Sequence, residues 1–141
     1  MEKNLIYLTS KISELSNKLI ISKLEKNGIK SIVPSHGDIF HLLYLKERVT
    51  MKEISDFVNK TKPTVTVLVE KLEKLDYILK EKCDKDSRIT YITLTSKGKN
   101  LEPIFKKISE EINYEVYKNL SNDESLAVEE TLKKIIKGLN S

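Results

Sequence analysis

Apolar residues recur at three- and four-residue steps along most of this chain. Leu5, Leu8, Ile12, Leu15 and Leu19 form such a stripe and predict a first helix over residues 4–26, closed by Asn27-Gly28. After Pro34-Ser35-His36-Gly37-Asp38, with Ser35 as the expected N-cap, Ile39, Leu42, Leu43 and Leu45 give a short second helix an apolar side. Thr50-Met51-Lys52-Glu53 has the S/T-x-x-E form of a capping box and opens a helix to Val58 that is expected to bury Ile54, Phe57 and Val58. Asn59-Lys60-Thr61 reads as a turn. Thr61 is the expected cap of the next helix, with Pro63 in its first turn, where a proline is tolerated. That helix carries Val65, Leu68, Val69, Leu72 and Leu75 on one face and Lys62, Thr64, Thr66, Val67, Glu70, Lys71 and Lys74 on the other.

The period then changes. Residues 77–83 and 89–94 are rich in β-branched and aromatic side chains with partial alternation, and they flank the charged tip Asp84-Lys85-Asp86-Ser87-Arg88, which predicts a two-stranded hairpin. Thr95 is placed to cap a long helix running through Leu101, Phe105, Ile108, Ile112 and Leu120, with Pro103 distorting its start. Ser121-Asn122-Asp123-Glu124 is a second capping box, opening a last helix with Val128, Leu132, Ile135, Ile136 and Leu139. The fold class is thus mostly α with a small β-hairpin (α+β). Two short helices joined by a tight turn and followed by a hairpin form a winged helix-turn-helix. The reading is one domain over 1–141: a DNA-binding lobe at 34–100, and flanking helices at 1–30 and 101–141. The stripes of those flanking helices exceed what so small a lobe can cover. A second copy of the chain is the simplest partner, since closed two-fold dimers dominate among homo-oligomers. The expected interface is Leu5, Leu8, Ile12, Ile112, Leu132, Ile135 and Leu139.

Charge sharpens this picture. The net charge is +4, and residues 46–99 hold 13 Lys/Arg against 9 Asp/Glu, leaving 12 of each elsewhere. The whole basic excess therefore lies in the middle of the chain, as a phosphate-binding footprint would. Composition suits a soluble helical protein, with no apolar run of membrane-spanning length and no signal-peptide pattern. With Cys83 the sole cysteine, a cytoplasmic location is expected.

No P-loop, G-x-G-x-x-G or G-x-S-x-G pattern is present among only four glycines, so no enzyme activity and no cofactor are expected. His36 and His41 flank Asp38, but a spacing of five is poor for one helical face, so no metal site is expected. Cys83 reads as a half-buried strand residue rather than a redox centre.

Asp86-Ser87-Arg88 followed by Ile92-Thr93-Leu94-Thr95-Ser96-Lys97-Gly98 resembles the D-x-R wing tip and L-T-x-x-G helix start of the MarR family of bacterial transcriptional regulators. Pro63-Thr64-Val65-Thr66 and Leu72-Glu73-Lys74-Leu75 resemble that family's recognition helix, and the likeness spans essentially the whole chain. It departs at Asp76, where the family often has glycine in a left-handed turn, and at Val67, where a polar reader is common. The resemblance implies a repressor that binds double-stranded DNA as a homodimer on a pseudo-palindromic operator. It also implies a small-molecule effector, bound by residues of the first helix, the second helix and the start of the long helix.

Thr61, Lys62, Thr64, Thr66 and Val67 are the candidate major-groove residues, and Lys60, Lys71 and Lys74 the candidate phosphate partners. In the wing the candidates are Lys80, Lys82, Lys85 and Arg88, with the resemblance implying that Asp86 holds Arg88 toward the minor groove. Two other readings compete: a sequence-independent DNA-coating protein, and a helical protein-interaction adaptor that has lost DNA binding.

Overall fold

A computed structural model describes residues 2–141. The elements run α1 (Leu5–Lys26), α2 (Pro34–Leu45), β1 (Arg48–Thr50), α3 (Met51–Val58), α4 (Lys62–Lys74), β2 (Ile78–Lys82), β3 (Thr90–Leu94), α5 (Ser96–Lys99), α6 (Glu102–Tyr117) and α7 (Asn122–Leu139). The chain divides into two compact units, one up to Ile108 and one from Ser109 onward. Among the described residues no helix is long and apolar enough to cross a membrane.

The first unit is built on α2, α3 and α4, closed by an antiparallel sheet in the order β1-β3-β2. Ile39 and Phe40 of α2, Ile54 of α3, Val65, Val69 and Leu72 of α4, and Val49, Ile78 and Ile92 of the strands make a fully buried core. Phe40 is its aromatic centre, with its ring centroid 4.7 Å from Phe105 and 5.5 Å from Tyr77, the latter edge-on. Burying each aliphatic or aromatic side chain of this size contributes about 1.5–3 kcal/mol, so this core holds the helix-turn-helix in place.

Helix ends follow local chemistry. At the end of α1, Gly28 takes φ +77°, which lets the Ile29 N–H reach back to the Leu24 carbonyl at 2.9 Å. Thr50 caps α3, its hydroxyl accepting from the Glu53 N–H at 3.1 Å. Ser121 and Glu124 form the expected reciprocal box at α7.

Four expectations need correction. The cap of α2 is Val33 rather than Ser35. Pro34, with its preset φ and no N–H to satisfy, starts the helix, and His36 Nδ1 accepts from the Val33 N–H at 3.0 Å. Phe57 is not core but 46% exposed, because in the eight-residue α3 the stripe through Ile54 and Val58 is the one turned inward. Thr61 stands at the N-cap of α4 as expected, but its hydroxyl makes no capping bond there. The sheet has a third strand: Val49 of β1 pairs with Ile92 of β3, and both are fully buried.

The long helix after Thr95 is interrupted, α5 ending at Lys99 and α6 starting at Glu102. This puts Pro103 in a first turn, where no N–H is required.

In the second unit the last turns of α6 and the whole of α7 are joined by a short connection, and the Tyr117 hydroxyl donates to Glu129 at 2.6 Å. No residue of α7 is buried.

Candidate nucleic-acid interface

The helix-turn-helix is fixed by its turn. Asn59 adopts φ +54°, the left-handed conformation that asparagine tolerates. The Lys60 N–H donates to the Ser55 carbonyl at 3.3 Å, and the Ser55 hydroxyl donates to the Lys60 carbonyl at 2.8 Å. These bonds set the direction in which α4 leaves. Its inner face is the buried Val65, Val69 and Leu72, and its outer face exposes Lys62, Pro63, Thr64, Thr66 and Val67, the last at 66%. Thr61 is exposed just ahead of the helix, its hydroxyl 3.0 Å from that of Thr64, and Thr66 donates to the Lys62 carbonyl at 2.9 Å.

The lysines around this helix are not equivalent. Lys60 and Lys74 are exposed, whereas Lys71 is half-buried and its charge acts on His36. His36 itself is buried, with its pKa pushed down to about 4 by desolvation and, secondarily, by Lys71. Because Nδ1 accepts the Val33 N–H, the ring proton sits on Nε2, which has no hydrogen-bond partner among the described residues.

After α4 the chain makes a Schellman turn. Asp76 stands at φ +65°, the Tyr77 N–H donates to the Leu72 carbonyl at 3.0 Å, and the Asp76 N–H donates to the Glu73 carbonyl at 3.0 Å. Thr95 and its neighbours grip this turn. The Thr95 hydroxyl donates to the Asp76 carbonyl at 2.6 Å and accepts from the Gly98 N–H at 3.1 Å, and Lys97 donates to the Leu75 carbonyl at 2.8 Å. A Cβ at Gly98 would collide with the Tyr77 carbonyl oxygen. This gives the Thr-x-x-Gly motif its physical reason: it clamps the base of the wing to the exit of α4.

In the wing, Arg88 is held by a two-point pair to Asp86. Its Nε donates to Oδ1 at 3.0 Å and an Nη to Oδ2 at 3.1 Å, while the Arg88 backbone N–H also donates to Oδ1 at 3.0 Å. Arg88 lowers the Asp86 pKa, and Asp86 raises that of Arg88. The Arg88 side chain nevertheless remains 89% exposed, so the pair orients a guanidinium without hiding it. Lys82 and Lys85 are exposed, but Lys80 is half-buried with its ammonium 3.5 Å from Glu73 of α4, where it ties wing to helix.

Sequence reasoning missed Arg48, which stands on β1 with its guanidinium 3.9 Å from the Tyr91 ring centroid. A groove of about 340 Å³ there is lined by Arg48, Lys82, Cys83, Lys85 and Tyr91, with Glu81 and Asp84. A basic residue two positions before the Thr50 cap was the available signal, but a three-residue strand is too short to show a period. His41 lies beside Phe57, ring centroids 6.0 Å apart. Among the described residues no group of three or more His, Cys, Asp or Glu is placed to hold a metal ion.

A family model described as a winged helix DNA-binding domain matches residues 38–113. The chain belongs to that winged helix DNA-binding domain family, and its fold is that of the MarR regulators, as the wing and clamp motifs implied. The transcriptional regulator SarZ of Staphylococcus haemolyticus (strain JCSC1435) is 33% identical over 91 residues, covering 64% of this chain and 60% of that protein. The chain thus spans about 60% of the length of the SarZ relatives it first matches. The transcriptional regulator MhqR of Bacillus subtilis (strain 168) is 29% identical over 119 residues, covering 84% of this chain and 78% of that protein. Among solved structures, the MepR–DNA complex of S. aureus superposes with a TM-score of 0.88 at 27% identity, covering 97% of this chain and 99% of that one. A mutant MarR from E. coli complexed with operator DNA superposes at 0.83 with 19% identity over 93% of this chain and 92% of that one, a likeness of fold.

Proposed function

We propose that this chain is a sequence-specific DNA-binding transcriptional regulator acting in the cytoplasm, a repressor that grips a pseudo-palindromic operator as a homodimer. The observation that carries the reading is the pairing of an exposed α4 outer face with a wing that displays an oriented arginine, both set in the chain's basic middle section. The helix enters the major groove N-terminus first, with Thr61, Lys62, Thr64, Thr66 and Val67 toward the bases. The first-turn N–H groups that Thr61 leaves uncapped favour a phosphate. Lys60, Lys71 and Lys74 contact backbone, which adds affinity but no sequence information. Lys82, Lys85 and Arg88 follow the wing, and a narrow A·T-rich minor groove concentrates the negative potential that draws in Arg88.

Dimerisation is supported by uncovered apolar surface. Leu5, Leu8 and Ile12 on α1 and Leu139 on α7 are exposed, and Ile112, Leu132 and Ile135 are half-buried. A small-molecule effector belongs to the same reading: a ligand that favours one spacing of the two DNA lobes shifts DNA affinity by linkage.

Selection from a random duplex pool tests the proposal. Enrichment of an inverted repeat, with half-sites about one helical turn apart, is expected of a two-fold dimer. Equal retention of all sequences would instead identify a coating protein, and no retention an adaptor.

A further inference from the structure

Recognition helices most often read purines with two-point hydrogen bonds, Arg or Lys to guanine and Asn or Gln to adenine. The α4 sequence, Lys62-Pro63-Thr64-Val65-Thr66-Val67-Leu68-Val69-Glu70-Lys71-Leu72-Glu73-Lys74, contains no Arg, Asn or Gln. Its threonines do not make up the deficit. The Thr66 hydroxyl gives its proton to the Lys62 carbonyl, and the Thr61 and Thr64 hydroxyls bond each other. Of these three hydroxyl protons, one is left for a base. Beside the exposed Lys62 ammonium and that one hydroxyl proton, the groups this face offers from its first turns are apolar: the γ-methyls of Thr64 and Thr66, the Pro63 ring and above all Val67, one helical turn from Pro63 and 66% exposed.

We propose that α4 reads the C5-methyl group of thymine, with Val67 as the contacting side chain and Pro63, Thr64 and Thr66 as an apolar collar around it. The inference rests on the DNA-binding reading above and makes it specific. The thymine methyl is the one apolar group that a base pair presents in the major groove, so it is the natural complement of this face. Each contact buries about one methyl group, a modest but base-selective gain. Cytosine methylated at C5 offers the same methyl and serves as the second probe.

The test uses the duplex enriched from the random pool. Each thymine is replaced in turn by deoxyuridine, which deletes the methyl and keeps the hydrogen-bonding edges. Binding is measured with the wild type and with Val67→Ala, a change at an exposed position. Affinity is expected to fall about fourfold per methyl at one or two positions in each half-site, the effect of exposing one such group. The salt dependence should stay unchanged, because no phosphate contact is altered. With Val67→Ala, thymine and deoxyuridine duplexes should bind alike at those positions. Placing 5-methylcytosine where cytosine is tolerated should restore affinity to the wild type alone. An enriched site insensitive to deoxyuridine, or a Val67→Ala protein that keeps the full penalty, overturns the methyl readout and leaves the regulator intact. Failure to enrich any sequence overturns both.

Discussion

A Cβ on Gly98 would collide with the carbonyl oxygen of Tyr77, so no side chain fits where the two backbones meet. That contact joins the start of α5 to the turn leaving α4, and Thr95 bonds both sides of it. Gly98→Ala is expected to destabilise the fold by about 2 kcal/mol, in the range for forcing an extra methyl into a packed site. Gly37→Ala, in α2 with nothing within 4 Å of an added Cβ, should stabilise by about 0.5 kcal/mol through lower chain entropy. Urea unfolding of the two variants measures the contrast.

His36 makes the fold sensitive to acid. Its folded pKa of about 4 lies below the ordinary 6.5, so the native state binds fewer protons than the unfolded chain. The stability this neutral ring preserves is fully present above about pH 6.5 and is lost as pH falls toward 4, by about 3 kcal/mol over that window. Asp38 acts in the opposite sense, since burial raises its carboxyl pKa. Comparison of wild type with His36→Gln isolates the histidine. Urea midpoints at pH 7.5 and 4.5 should draw together in the variant.

Most helix stripes, the Thr50 and Ser121 caps and the wing were legible in the sequence because each is a local pattern. Thr50 and Ser121 cap as expected because the S/T-x-x-E spacing is itself the geometry of the bond. What escaped depends on contacts distant in sequence. Val49 belongs to a strand only because Ile92 lies opposite it, forty-odd residues on. Phe57 is apolar yet exposed because the rotation of an eight-residue helix is set by the core rather than by its own composition. Lys80 sits among basic wing residues in sequence, but Glu73 on α4 engages it. The oriented Arg88 was anticipated from a resemblance; the two-point pair with Asp86 supplies its physical content.

Arg88→Ala should weaken binding to the selected site at least tenfold while leaving the unfolding midpoint nearly unchanged, because the pair lost is exposed and such pairs contribute little to stability. Lys85→Ala should lower affinity similarly for all sequences and reduce the salt slope by about one. Titrations of the selected and scrambled duplexes with both variants separate the two roles. An Arg88 variant that unfolds early but binds normally would make the pair a purely structural feature.

A charge placed on the exposed stripe of α1 tests the dimer. Ile12→Glu should convert the protein to a monomer in sedimentation equilibrium with its helical circular dichroism retained, because the side chain is 59% exposed in the single chain. Affinity for one half-site should persist while affinity for the full inverted repeat collapses, since the linkage between half-sites is lost.

Discrimination between sequences shows first in the affinity of the selected inverted repeat against a scrambled duplex across a salt series. A preference of at least about a thousandfold is expected at physiological salt, the lower bound for specific regulators, and it should persist as salt weakens both complexes. Equal affinities that fall together with salt would contradict it and leave only a phosphate-binding surface.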